Sequence, residues 1–170
     1  QTGDAYRARV RMQDADGHWS HWSNAVEFVP GPNAAAPSLA ITELHYNPAS
    51  DSLVTDAQDL EYVELLNTGT QTLSLEGVRL TTFASNPYVF GAGLTLAPGQ
   101  RIVVPKNPAV FQSYYGGGVN IASGGYGSGN LSNGGETIDL VAADGALIES
   151  ITYDDAAPWT TAPDGNGPSL

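Results

Sequence analysis

Glu43, His45 and Asn47 occupy alternate positions in "ITELHYNP", residues 41–48, and Asp59, Glu61 and Glu64 follow in "DLEYVELLN". A carboxylate beside an imidazole is the chemistry of a general acid and base, or of a zinc ligand pair. Catalytic zinc commonly takes three protein ligands. The chain has 3 histidines, and the other two, His18 and His21, lie far upstream. With no cysteine, thiolate metal sites and disulfides are excluded. No GxSxG turn supplies an activated serine. A glycosidase would need one carboxyl group in an apolar pocket, which residue order alone does not reveal. The chain thus lacks a nucleophile with an activating partner, and it is not expected to be an enzyme.

A cation suits these residues better. "NPASDSLVTDAQDLE" brings Asp51, Asp56, Asp59 and Glu61 into one loop. Calcium takes six to eight oxygens from flexible loops of this kind, although EF-hand spacing and its turn glycine are missing. The four residues are candidate calcium ligands, and the competing reading is a solvated acidic loop. "YDD" and "DGNG" offer fewer oxygens. Trp159, Tyr114, Tyr115 and Tyr126 could stack on a sugar, but they are expected to pack instead, Trp159 over the end of the core and the tyrosines around "FQSYYG".

Positioning these residues falls to strands. Apolar stretches are short, rich in Val, Ile, Leu, Thr and Tyr, and separated by turn residues, the pattern of an all-β sandwich or barrel. Expected strands are "YRARVRM", "NAVEFV", "LAITELHY", "LEYVELLN", "LSLEGVRLTTF", "YVF", "RIVVP", "ETIDLVAA" and "ALIESITY". Alternation places Leu39, Ile41, Glu43 and His45 on one face of the third of these, and Glu61, Val63, Leu65 and Asn67 together on the fourth. One helical turn is expected at residues 108–115, capped by Asn107, opened by Pro108 and ended by Gly116. The glycine-rich stretch from Gly116 to Glu136 lacks a strand–GxGxxG–helix context and any lysine, and reads as a flexible surface loop.

Net charge is −12, from 6 basic and 18 acidic residues, and only Arg79, Arg101 and Lys106 lie beyond residue 11 among the basic ones. Nucleic acid and anionic membranes are poor partners for such a surface. No segment approaches the length of a membrane span. No basic, apolar signal region opens the chain, but Gln1 suggests a mature or cut form, so that absence says little.

"VPGPNAAAPS" reads as a linker centred on residues 30–38, which separates residues 1–29 from residues 39–170. In the first segment Tyr6, Ala8, Val10 and Met12 share one strand face, and Arg7, Arg9 and Arg11 share the other. "WSHWS" follows a "DADG" turn, so Trp19 and Trp22 can interleave with arginine guanidinium planes. The segment resembles the last two strands of a fibronectin type III domain, and "WSHWS" resembles the WSxWS box of receptor domains of that fold. Its apolar face is expected to drive self-association through residues 1–28.

Five motifs in order, across most of residues 39–170, resemble the bacterial form of the lamin tail domain family: "LAITELHYNP", "LEYVELLNTGTQTLSLEGVRLT", "LTLAPGQRIVV", "LSNGGETIDLVAADGALIESITY" and "PWTTAPDGNGPSL". The resemblance implies an immunoglobulin-like β-sandwich without catalysis. It implies a spacer or interaction module in a multidomain bacterial protein that is extracellular or on the cell surface. A protein or a surface glycan would be its partner. The alternative expectation is a calcium-dependent carbohydrate- or surface-binding module. The family's DNA contacts do not carry over, since the basic patch is missing. The family usually adds a short strand after a segment like "GPSL", so the sheet edge is expected to be incomplete here.

Overall fold

The computed structural model describes residues 6–28, 38–81 and 87–170. Residues 30–37 of the expected linker, and the end of "LSLEGVRLTTF", lie outside the described residues. The chain divides into two units, Gln1–Ala35 and Ala36–Leu170.

In the first unit β1 (Tyr6–Ala8) pairs antiparallel with β2 (Val26–Phe28). The turn between them is tied by Asp14, whose carboxylate accepts from the Asp16 and His18 amides at 3.0 and 2.8 Å. Both "WSHWS" serines brace the opposite chain: the amides of Val10 and Met12 donate to Ser23 Oγ and Ser20 Oγ. The Arg11 guanidinium lies 4.2 Å from the Trp19 ring and 4.7 Å from Trp22. The ladder is therefore one arginine between two indoles, while Arg7 pairs with Glu27 instead.

The second unit is an immunoglobulin-like sandwich. One sheet contains β3 (Leu39–His45), β4 (Tyr62–Asn67) and β9 (Arg101–Pro105), in that order. The other runs from β11 (Leu147–Tyr153) through β10 (Glu136–Val141) and β6 (Arg79–Thr81) to β7 (Tyr88–Val89). A short pair, β5 (Leu73–Ser74) and β8 (Thr95–Leu96), completes the unit. Between the sheets lie Leu44, Val63, Leu65 and Ile102 from one side and Leu80, Ile138, Leu140 and Tyr153 from the other, all nearly or fully buried. Tyr46 packs on Tyr153 with ring centroids 4.9 Å apart.

Strand β4 keeps its alternation. Val63 and Leu65 face the core, with buried Glu61 and Asn67 at either end of the same face. Asn67 is fully satisfied there. Its Nδ2 donates to the carbonyls of Gln71 and Leu96 at 2.8 and 2.7 Å, and its Oδ1 accepts from the Gly69 amide at 2.9 Å. Asn67→Ala would orphan these groups, so we expect a loss of about 2 kcal/mol, read by urea unfolding. An unchanged midpoint would show that water replaces the amide at no cost.

Strand β3 departs from the expected alternation. A β-bulge between Ile41 and Glu43 inserts Thr42 as an extra residue. The core face is Leu39, Ile41, Leu44 and Tyr46, and Glu43 and His45 move to the other side. The expected strand "LSLEGVRLTTF" is likewise two, β5 and β6. Gly77 breaks it, with φ +74° and a virtual Cβ 2.9 Å from that of Ala143. The expected helix forms as α1 (Pro108–Tyr115), with Asn107 Oδ1 accepting from the Val110 amide at 3.3 Å. A 3-10 turn, Ala57–Leu60, was not legible in the sequence.

The glycine-rich loop is not the free surface loop the composition suggests. Ala122, Tyr126 and Leu131 are buried. The Ala122 amide donates to the Val103 carbonyl at 2.8 Å and the Val103 amide to Asn120 at 2.9 Å, so the loop lies along the outer edge of β9.

Candidate functional site

The acidic loop does not gather its carboxylates. Asp51 accepts from the Leu53 amide at 2.9 Å and from the Tyr114 hydroxyl at 2.7 Å, and these donors hold its carboxyl below the usual range. Asp56 caps the 3-10 turn by accepting from the Gln58 amide at 3.0 Å. Asp59 accepts from Asn107 Nδ2 at 3.2 Å, joining the loop to the start of α1. Glu61 has left the loop for the core. The four expected calcium ligands, Asp51, Asp56, Asp59 and Glu61, thus each have a hydrogen-bonding task of their own. Among the described residues, the acidic or histidine ligand atoms that form a trio within 4.8 Å belong to Asp14, Asp16 and His18, which are exposed at the hairpin turn.

Glu61 is 0% exposed. Its Oε2 accepts from the Tyr126 hydroxyl at 2.8 Å and from the Leu131 amide at 2.9 Å, while Oε1 has no hydrogen-bond partner among the described residues. Burial raises its carboxyl to about 7, against the lowering effect of those two bonds and of the Lys106 charge. Lys106 is itself buried and donates to Asn130 Oδ1 at 2.6 Å. The pair therefore anchors the glycine-rich loop at both ends of residues 126–131.

The "ITELHYNP" residues fasten the last segment of the chain. Asn47 Nδ2 donates to Asp164 at 2.6 Å, and the Gly165 amide donates to the Asn47 carbonyl at 3.0 Å. Glu43 accepts from Ser169 Oγ and from the Tyr62 hydroxyl. Leu44 and Leu170 exchange both backbone bonds, at 3.1 and 2.8 Å, so the segment pairs with the outer edge of β3. Further along that edge the Ile41 amide is capped by Glu149 Oε2 at 2.6 Å. An unpaired strand edge invites foreign strands, and these contacts cover it at two points. His45 is 4% exposed, sits edge-on to Tyr62 at 5.3 Å, and has its pKa lowered by burial.

Two of the hollows among the described residues lie beside these side chains. One, of about 480 Å³, lies between Leu53, Val54 and Asp59 of the acidic loop and Ala109, Val110 and Tyr114 of α1. The other, of about 260 Å³, lies on the outer face of the β3–β4–β9 sheet, between Glu43, Tyr62, Glu64, Phe111, Tyr115 and Val119. Of the aromatics considered for sugar stacking, Tyr126 is buried on Glu61, Trp159 is half-buried against the core rather than fully covered, and Tyr114 and Tyr115 flank these two hollows.

The lamin tail domain profile matches residues 32–155. The chain belongs to the lamin tail domain family. No curated protein and no solved structure matches it. In this lamin tail domain the fastened segment, residues 164–170, lies beyond the matched span, yet it bonds to Glu43, Leu44 and Asn47 within it. Among the described residues, no helix of this lamin tail domain is long and apolar enough to cross a membrane. Sequence reasoning missed the outer-face cleft, because Glu43 reaches it only through the bulge. It missed the Glu61–Tyr126 anchor because 65 positions separate the partners.

Proposed function

We propose that this lamin tail domain is a non-catalytic spacer or interaction module of a multidomain bacterial protein that is exported or displayed on the surface. The observation that best supports this reading is the employment of the polar residues. Glu43, Asn47 and Glu61, three of the polar residues that raised the question of a site, each clamp a distant chain segment through direct hydrogen bonds. A catalytic group needs a free reacting atom and an activating neighbour. The fibronectin-like hairpin would belong to a preceding domain of the same protein.

The test is an assay of the full chain against ester, phosphate, glycoside and casein substrates. The expected result is turnover no faster than the blank. Turnover that disappears in His45→Ala would overturn the reading. Cell fractionation of the source organism checks location: recovery in the cytosol alone would contradict export.

The exposed face of the hairpin, with Val10, Met12 and Val26 at 69, 78 and 64% exposure, supports self-association through residues 1–28. Light scattering should then find an assembly that a chain starting near Pro37 does not form. A monomeric full chain at high concentration would rule this out.

A further inference from the structure

We propose that the cleft on the outer face of the β3–β4–β9 sheet binds an alkylammonium group, the chemistry of a lysine side chain and of its methylated forms. Glu43 and Glu64 are directly opposite each other in the β3–β4 register, on one face because of the bulge at Thr42. Like charges placed so are unfavourable on their own. Among the described residues, the cation bonded to this pair is Arg101, whose Nε donates to Glu64 Oε1 at 2.9 Å. The donors to Glu43 are the neutral hydroxyls of Tyr62 and Ser169. The cleft therefore carries one uncompensated negative charge.

Its walls are aromatic. Tyr62 meets Phe111 at 5.5 Å and 85°, and Tyr115 at 6.2 Å and 85°, while Phe111 and Tyr115 lie 4.6 Å apart at 44°. Phe111 is buried behind the other two, so Tyr62 and Tyr115 supply the accessible ring surface, and a cation over a ring face is attracted by its quadrupole. A carboxylate with aromatic walls is the arrangement that holds ammonium ligands. A hard metal ion is less suited, since it requires six or more oxygens. A neutral sugar would leave the Glu43 charge uncompensated. The net charge of −12 further raises the local concentration of cations. The site rests on the reading of the domain as an interaction module, and it names the group that a partner would present.

The experiment uses the full chain with carbon-13 ring-labelled tyrosine. Choline chloride and N-acetyl-lysine methylamide are titrated at constant ionic strength, with 3,3-dimethyl-1-butanol as the uncharged isostere of choline. Saturating shifts of the Tyr62 and Tyr115 rings are expected with at least one cation. The neutral isostere should bind about tenfold more weakly or worse, and Glu43→Gln should weaken the cation by a similar factor. Saturation by the lysine derivative alone assigns a primary ammonium, and saturation by choline alone a methylated one. Glu64→Gln provides a second variant should Glu43→Gln loosen the fold. No saturable shift with either cation up to about 100 mM, or equal binding of the isostere, overturns the site. Because the probes are small molecules, that failure leaves the interaction-module reading standing, whereas turnover in the substrate assays would defeat the module reading without altering these shifts.

Discussion

Gly135→Ala is expected to cost about 4 kcal/mol, combining a strained backbone with a steric clash. Gly135 has φ +90°, and a Cβ placed on it would stand 2.5 Å from the Tyr153 carbonyl oxygen and 2.8 Å from Asp154 Cα. These are backbone atoms of β11 and the residue after it, which cannot swing aside as a side chain would. The turn is also locked from within. The Ser132 amide donates to Glu136 Oε1 at 2.8 Å, and the Tyr153 hydroxyl donates to the Ser132 carbonyl at 2.8 Å. A loss of this size is a large share of a domain's stability. Gly134 is the internal control. It has no positive φ and nothing within 4 Å, so Gly134→Ala should change the urea midpoint little. Equal effects at the two positions would refute the account of the turn.

The second large effect is a pH dependence set by Glu61. Its folded-state carboxyl titrates near 7 rather than at the ordinary 4.5, chiefly because burial disfavours the anion. Between those values the folded protein binds more protons than the unfolded chain, so stability falls as pH rises. The contribution is fully present below the unfolded value and is lost as pH passes through the folded one. The difference corresponds to about 3 kcal/mol. His45 works in the opposite sense. Its lowered pKa gives stability above its ordinary value of 6.5, lost as pH falls through the folded value. The two separate in Glu61→Gln, which should retain the histidine's slope and lose the carboxyl's. Unfolding free energies across the range from acid to mildly alkaline pH measure both.

Much of this architecture was legible in the residues. Val63 and Leu65 between Glu61 and Asn67 announced a strand by period, and the structure places all four on one buried face. Asn107, Pro108 and Gly116 announced the helix by cap chemistry, which acts locally and so can be read locally. What failed was non-local. The bulge at Thr42 is a feature of pairing with β4, so alternation along β3 alone put Glu43 and His45 on the same face as Leu39 and Ile41. The glycine-rich stretch looked free because its ties are to β9, Glu61 and Lys106, all distant in sequence. The separation of the acidic loop's carboxylates was equally out of sight, because they are close along the chain. A 3-10 turn and the start of β4 carry Asp56 and Glu61 apart, one to a cap and the other to the core.

The central claim is that Asp51, Asp56, Asp59 and Glu61 brace the fold through separate hydrogen bonds. Thermal unfolding of the wild type and of Glu61→Gln at about pH 8, each with and without millimolar calcium, tests it most directly. A buried structural carboxylate without a cation predicts that Glu61→Gln melts at a higher temperature than the wild type, and that calcium shifts neither. A calcium-dependent rise in the wild-type midpoint that vanishes in Glu61→Gln would contradict the claim and restore the loop as a metal site.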